Sequence, residues 1–163
     1  MRLMQNTQQN ASETYRERLT PSLWMLVTIA LGGPMVALVF APIAPTIALV
    51  IGAIVSVILV VLSILFSPTV RVAGTVLHVG RAHIDARWLG EPAEFTGSDA
   101  RDRRTRDIAR DGWHFLRGGV DGIVIVPVTD PADPMNSWTI STRTPDRLAA
   151  AIGTARVAAR AAA

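Results

Sequence analysis

From Leu19 to Val70 the chain runs 52 residues without an Asp, Glu, Lys, Arg or His. Pro42 and Pro45 divide this run into two apolar pieces, 23–41 and 46–66. A helix rises about 1.5 Å per residue and a bilayer core is about 30 Å thick, so about 20 apolar residues suffice to cross it. Each piece is that long. The connection Pro42-Ile43-Ala44-Pro45 allows only a tight reversal, which predicts a helical hairpin. Pro34, beside Gly32 and Gly33, predicts a kink in the first span, because proline removes a backbone donor. Gly33, Ala37 and Ala41 recur every four residues, as do Ala48, Gly52 and Ser56. Small side chains at that spacing permit close helix approach, although a chain rich in Ala and Gly also produces them by composition.

Beyond Pro68 the pattern changes to alternation. Val70 to Val79 reads as a strand, His78-Val79-Gly80-Arg81 as a bend and Ala82 to Trp88 as a second strand with Ala82, Ile84, Ala86 and Trp88 on one face. Ser98 to Gly112, dense in Asp and Arg, is expected to be a solvated loop or a short surface helix. Trp113 to Arg117, Ile123 to Thr129 and Trp138 to Arg143 read as further strands, with a turn at Asp130 to Pro134. Thr144 as N-cap and Pro145 at the first position open a helix whose Leu148, Ile152, Ala155 and Ala159 share a face. The expected fold is a membrane helical hairpin followed by a small α+β domain of five to seven short antiparallel strands, closed by a C-terminal helix. The expected organisation is an arm over 1–22, a hairpin over 23–66 and a domain over 70–160.

Charge sets the orientation. Arg16 and Arg18 precede the first span, Arg71 and Arg81 follow the second, and the connection is uncharged, so both termini are expected in the cytoplasm at the plasma membrane. Glu13 and Glu17 weigh lightly in that rule. Two buried helices of a soluble domain, or a cleaved signal peptide, are the competing readings. Spans this long on every face, and an arm acidic as well as basic, argue against them. The absence of ionisable residues in either span argues against an ion or proton path.

All 16 basic residues are Arg. Residues 71–163 nevertheless hold 13 Arg against 11 acidic residues, so there is no basic stripe of the kind that binds nucleic acid. Without cysteine, the chain has no disulfide, thiol catalysis or Cys-based zinc site. His78, His83, Asp85 and His114 are the metal-ligand types available, but none stands at a recognised ligand spacing, and exposed strand residues explain them more simply. His83 and Asp85 could serve as a base and its orienting acid with Ser141 as nucleophile, yet no nucleophile elbow or phosphate-cradling loop accompanies them. Asp130 and Asp133 could hold calcium, although the two prolines favour a capped turn. Arg101, Arg103, Arg104 and Arg106 could face anionic lipid, diluted by interleaved Asp residues. No catalytic, cofactor or metal residue is assigned. His83, Asp85 and Arg87 are kept as a candidate surface site.

The segments Tyr15 to Trp24, Gly80-Arg81-Ala82-His83-Ile84, Trp88-Leu89-Gly90, Thr129 to Pro134 and Ser141-Thr142-Arg143-Thr144-Pro145 occur here in an order that resembles a family of actinobacterial two-span membrane proteins catalogued as a domain of unknown function. The chain departs from that family's pattern at Arg117-Gly118-Gly119 and Asn136-Ser137-Trp138. A more distant similarity is to bacterial membrane proteins with a pleckstrin-homology-like domain, at the level of fold only, and it implies that the strands could close into a pleckstrin-homology-like barrel. The resemblance implies an architecture and a membrane location but no activity or cofactor. The expected function is therefore an interaction module binding a protein or a lipid at the inner membrane face. The expected partners are the bilayer, a membrane or cytoplasmic protein, or a second copy of the chain, and not nucleic acid. A membrane-bound enzyme acting on a lipid or envelope precursor, or a small subunit of a larger complex, are the alternatives.

Overall fold

The computed structural model describes residues 13–105 and 111–162. In chain order these form strand β1 (Glu13–Arg18), helices α1 (Leu23–Ala30), α2 (Gly32–Phe40) and α3 (Pro45–Leu65), and strands β2 (Thr69–Ala73), β3 (Val76–Val79) and β4 (Ala82–Asp85). A 3-10 turn (Ala86–Trp88), β5 (Ala93–Phe95), α4 (Gly97–Thr105), β6 (Gly112–Phe115), β7 (Gly122–Pro127), β8 (Ser137–Thr142) and α5 (Pro145–Ala161) follow. Described residues up to Leu19 and those from Pro68 onward make one compact unit, and Thr20–Ser67 make the other.

The strand-rich unit is discontinuous in sequence. β1 pairs antiparallel with β2, Arg16 opposite Arg71 and Glu17 opposite Val70, and Leu19 N–H donates to the Pro68 carbonyl at 3.0 Å where the pair ends. The helical hairpin thus stands where a turn would join two strands. Of the arm expected over 1–22, residues 1–12 lie outside the described residues, and Glu13–Leu19 belong to the same compact unit as the strands after the hairpin. Alternation along Glu13–Arg18 is real, but its inward side chains include Tyr15 and Glu17, so hydropathy gives no signal.

The first sheet is the antiparallel meander β1-β2-β3-β4 and the second has the order β5-β7-β8-β6, with β6 and β8 parallel. The two sheets are open and do not form a closed barrel, and the eight strands exceed the five to seven expected. The expected single strand Val70–Val79 is two, because Gly74 takes a left-handed φ of 59° and reverses the chain there. The expected strand Ala82–Trp88 stops at Asp85, whose carboxylate accepts from Arg87 N–H at 2.9 Å and starts the 3-10 turn. One core lies between the sheets, with Val70, Val72, Leu77 and Val79 from the first and Val124, Val126, Trp138 and Ile140 from the second. Helix α5 covers it with Leu148, Ile152, Ala155 and Ala159, all buried. Trp113 and Trp138 pack with ring centroids 4.4 Å apart.

In the other unit, Leu23–Phe40 and Pro45–Leu65 are long and apolar enough to cross a membrane, at 18 and 21 residues. Only 11% of each is buried, whereas core helices of a soluble domain would be mostly enclosed. The first is broken at Leu31, between α1 and α2. Pro34 has no N–H to give the Ala30 carbonyl, and the Ser56 hydroxyl on α3 donates to that oxygen instead, at 2.8 Å. Gly33 makes the approach possible. A Cβ there would lie 1.9 Å from Ser56 Oγ and 2.2 Å from the Gly52 carbonyl oxygen, while one on Gly52 would lie 2.8 Å from Ala37 Cβ. The small side chains of α2 and α3 therefore meet along one seam.

Two substitutions test the seam. In detergent, Ser56→Ala should lower hairpin stability by about 1 kcal/mol, the usual worth of an interhelical hydrogen bond in a membrane. Gly33→Ala should cost more, about 2 kcal/mol, because the backbones must separate. Thermal melting followed by far-ultraviolet circular dichroism would read both.

Candidate functional site

Tyr15 and Glu17, two apart on β1, point the same way and meet the junction of β8 with α5. The Tyr15 hydroxyl donates to Glu17 Oε2 at 2.7 Å and lies 3.0 Å from Thr142 Oγ1 and 2.9 Å from Thr144 Oγ1. Thr142, fully buried, donates its hydroxyl to Glu17 Oε2 at 2.5 Å, and Arg143 N–H donates to Glu17 Oε1 at 3.0 Å. Thr144 N–H donates to Thr142 Oγ1 at 3.1 Å. Thr144 does occupy the N-cap position of α5, but its side chain makes no cap hydrogen bond. Its hydroxyl turns to Tyr15 instead.

Above this network lies an open groove of about 720 Å³, lined by Tyr15, Arg16 and Glu17 from β1 and by Arg143, Thr144 and Arg147 from the start of α5. It offers guanidinium groups, hydroxyls and the Glu17 carboxylate. Burial is the main cause that pushes the Tyr15 phenol up to about 12, outweighing the hydroxyls of Thr142 and Thr144, with Glu17 raising it further. Tyr15 therefore holds its proton at neutral pH and acts as a donor.

The residues singled out by sequence fall elsewhere. His83 is exposed on β4, its ring stacked on that of His78 at 5.9 Å. Burial first, then Arg71 and His83, lower the His78 imidazole below its ordinary range. Asp85 and Arg87 line a separate small pocket of about 160 Å³ with Thr75, Ala159 and Ala162. Ser141 is fully buried on β8, and its hydroxyl accepts from Arg117 N–H at 3.0 Å. It is no accessible nucleophile. Among the described residues no three His, Cys, Asp or Glu side chains converge as metal ligands. Asp130 and Asp133 cap their own turn, accepting from Ala132 N–H and Met135 N–H at 2.9 Å each.

The arginines of α4 are directed inward in part. Arg103 lies over the Phe95 ring at 4.9 Å, and Arg104 Nη2 donates to the Gly122 carbonyl at 2.9 Å. Burial chiefly lowers the Arg104 pKa, opposed by Asp121 and aided by Arg101. Arg101 is exposed, while Arg106 lies outside the described residues. The Glu17 network was invisible in sequence because its partners stand 125 and 126 positions away.

A family model described as a protein of unknown function, DUF3093, matches residues 14–152. The chain belongs to the DUF3093 family. The match starts within β1 and ends within α5, so the family unit contains the first strand, the hairpin and the two sheets together. No curated protein and no solved structure matches the chain.

Hydrogen bonds to a charged group are worth about 1.5–3 kcal/mol each, so Glu17→Gln should destabilise the strand-rich unit by about 2 kcal/mol and Tyr15→Phe by about 1 kcal/mol. Urea unfolding followed by tryptophan fluorescence measures both. Because folding holds the Tyr15 proton more tightly than the unfolded chain does, this contribution is complete below pH 10 and declines as pH rises through about 12. Tyr15→Phe should remove that part of the alkaline loss.

Proposed function

We propose that the chain is an integral membrane protein whose hairpin holds the two-sheet domain at the cytoplasmic face, where the domain binds a protein or a lipid. The observation that carries this reading is the insertion of the hairpin between two paired strands. A hairpin of two crossings returns the chain to the side it left, which is what β1 needs in order to pair with β2. Helices with only 11% of their apolar windows buried need another apolar phase around them, and a bilayer supplies it. Arg16, Arg18, Arg71 and Arg81 flank the hairpin on the domain side, which favours the cytoplasm for that side.

An interaction module fits the chemistry better than an enzyme. In the groove the Glu17 carboxylate is already engaged by Tyr15, Thr142 and the Arg143 N–H, and Ser141 is sealed in the core.

The chain lacks cysteine, so single-cysteine labelling is direct. In intact spheroplasts an impermeant maleimide should label Ile43→Cys and spare Ala132→Cys until lysis; the reverse pattern would overturn the orientation. Photo-crosslinking from Arg147 and Arg87 in cells should recover a dominant protein or lipid adduct. Recovery of neither would contradict the interaction reading.

A further inference from the structure

Register places two arginines and two histidines abreast across the first sheet. Arg16 pairs with Arg71, Arg71 with His78, and His78 with His83, one from each of β1, β2, β3 and β4. Their neighbours along the strands, Tyr15, Val70, Val72, Leu77 and Val79, pack against or form the core, so the four share the outer face. At about 4.8 Å between strands the row extends about 14 Å. Arg16 and Arg71 are like charges directly opposite one another, a pairing that destabilises a sheet. The row has little internal compensation: Glu13 Oε2 lies 3.9 Å from Arg16 Nη1, Arg71 makes no ion pair among the described residues, and Asp85, opposite Val76, spends one oxygen on Arg87 N–H. Such a row is suited to an anionic surface outside the molecule.

We propose that the outer face of the first sheet, through Arg16, Arg71, His78 and His83, docks on the phosphate headgroups of an anionic bilayer leaflet. This rests on the reading of the chain as a membrane protein. The two strands that carry Arg16 and Arg71 are the ones joined directly to the apolar helices, by residues 19–22 between β1 and α1 and by 66–68 between α3 and β2. A tether that short keeps these cations within reach of the headgroups, where each arginine gains about 1 kcal/mol from the leaflet's potential. The guanidinium groups of Arg16 and Arg71, flanked by the imidazoles of His78 and His83 as hydrogen-bonding groups, form a flat row that matches a plane of phosphates better than it matches a cleft-bound peptide. The α4 arginines are less suited, with Arg103 laid on Phe95 and Arg104 on the Gly122 carbonyl.

The test uses the full chain in nanodiscs, with a fluorophore on Ala73→Cys beside the row and a headgroup-nitroxide lipid as quencher. Quenching should be strong with about a third phosphatidylglycerol, weak in pure phosphatidylcholine, and lost on raising salt to about 1 M as the charges are screened. Arg71→Gln should lower the ratio of docked to undocked molecules about fivefold. Arg71→Lys should retain docking, and Arg101→Gln on α4 should leave it unchanged. Equal quenching in the two lipids, or indifference to Arg71→Gln, would overturn the inference while the membrane reading stands. Loss of the chain from the discs would overturn both.

Discussion

The carboxylate of Glu17 joins the two ends of the fold. It stands on a strand that the chain makes before the hairpin, and it accepts from Tyr15 beside it and from Thr142 and Arg143, which the chain makes last. A charged acceptor with three donors replaces the water lost on burial, so the strand can be docked although its sequence, ETYRER, has almost no apolar surface to bury. With β1 in place, Leu19 N–H and the Pro68 carbonyl close the strand pair at the point where the hairpin leaves and rejoins the strand-rich unit. The family match from residue 14 to residue 152 covers this whole arrangement.

Inside the hairpin a second compensation follows the same logic. Pro34 orphans the Ala30 carbonyl in an apolar segment, where an unpaired polar group costs several kcal/mol. Ser56 supplies the missing donor, and Gly33 and Gly52 remove the side chains that would hold it away. The break at Leu31 and the small-residue seam are therefore one device. In both units, a polar group left over by local structure is satisfied by a residue distant in sequence.

That pattern explains what the sequence revealed and what it concealed. The two apolar helices were legible because an unbroken run of apolar residues is a local signal, and α5 because Pro145 and the spacing of Leu148, Ile152, Ala155 and Ala159 are local signals too. β1 was hidden because its burial is polar and depends on Thr142 and Arg143. The division of Val70–Val79 rested on Gly74 alone within a run of strand formers. The parallel pairing of β6 with β8 could not be read, since alternation gives faces and not neighbours. The arginines of α4 are clustered in sequence, whereas positions 16, 71, 78 and 83 become a row only through strand register.

Hydrogen exchange of the full chain in nanodiscs, resolved by mass spectrometry, tests most directly whether the hairpin is inserted into a domain that β1 completes. Peptides covering Glu13–Arg18 should be protected together with those covering Thr69–Ala73, and Glu17→Gln should release the first far more than the second. Exchange of 13–18 at unstructured rates in the unmodified chain would contradict the account.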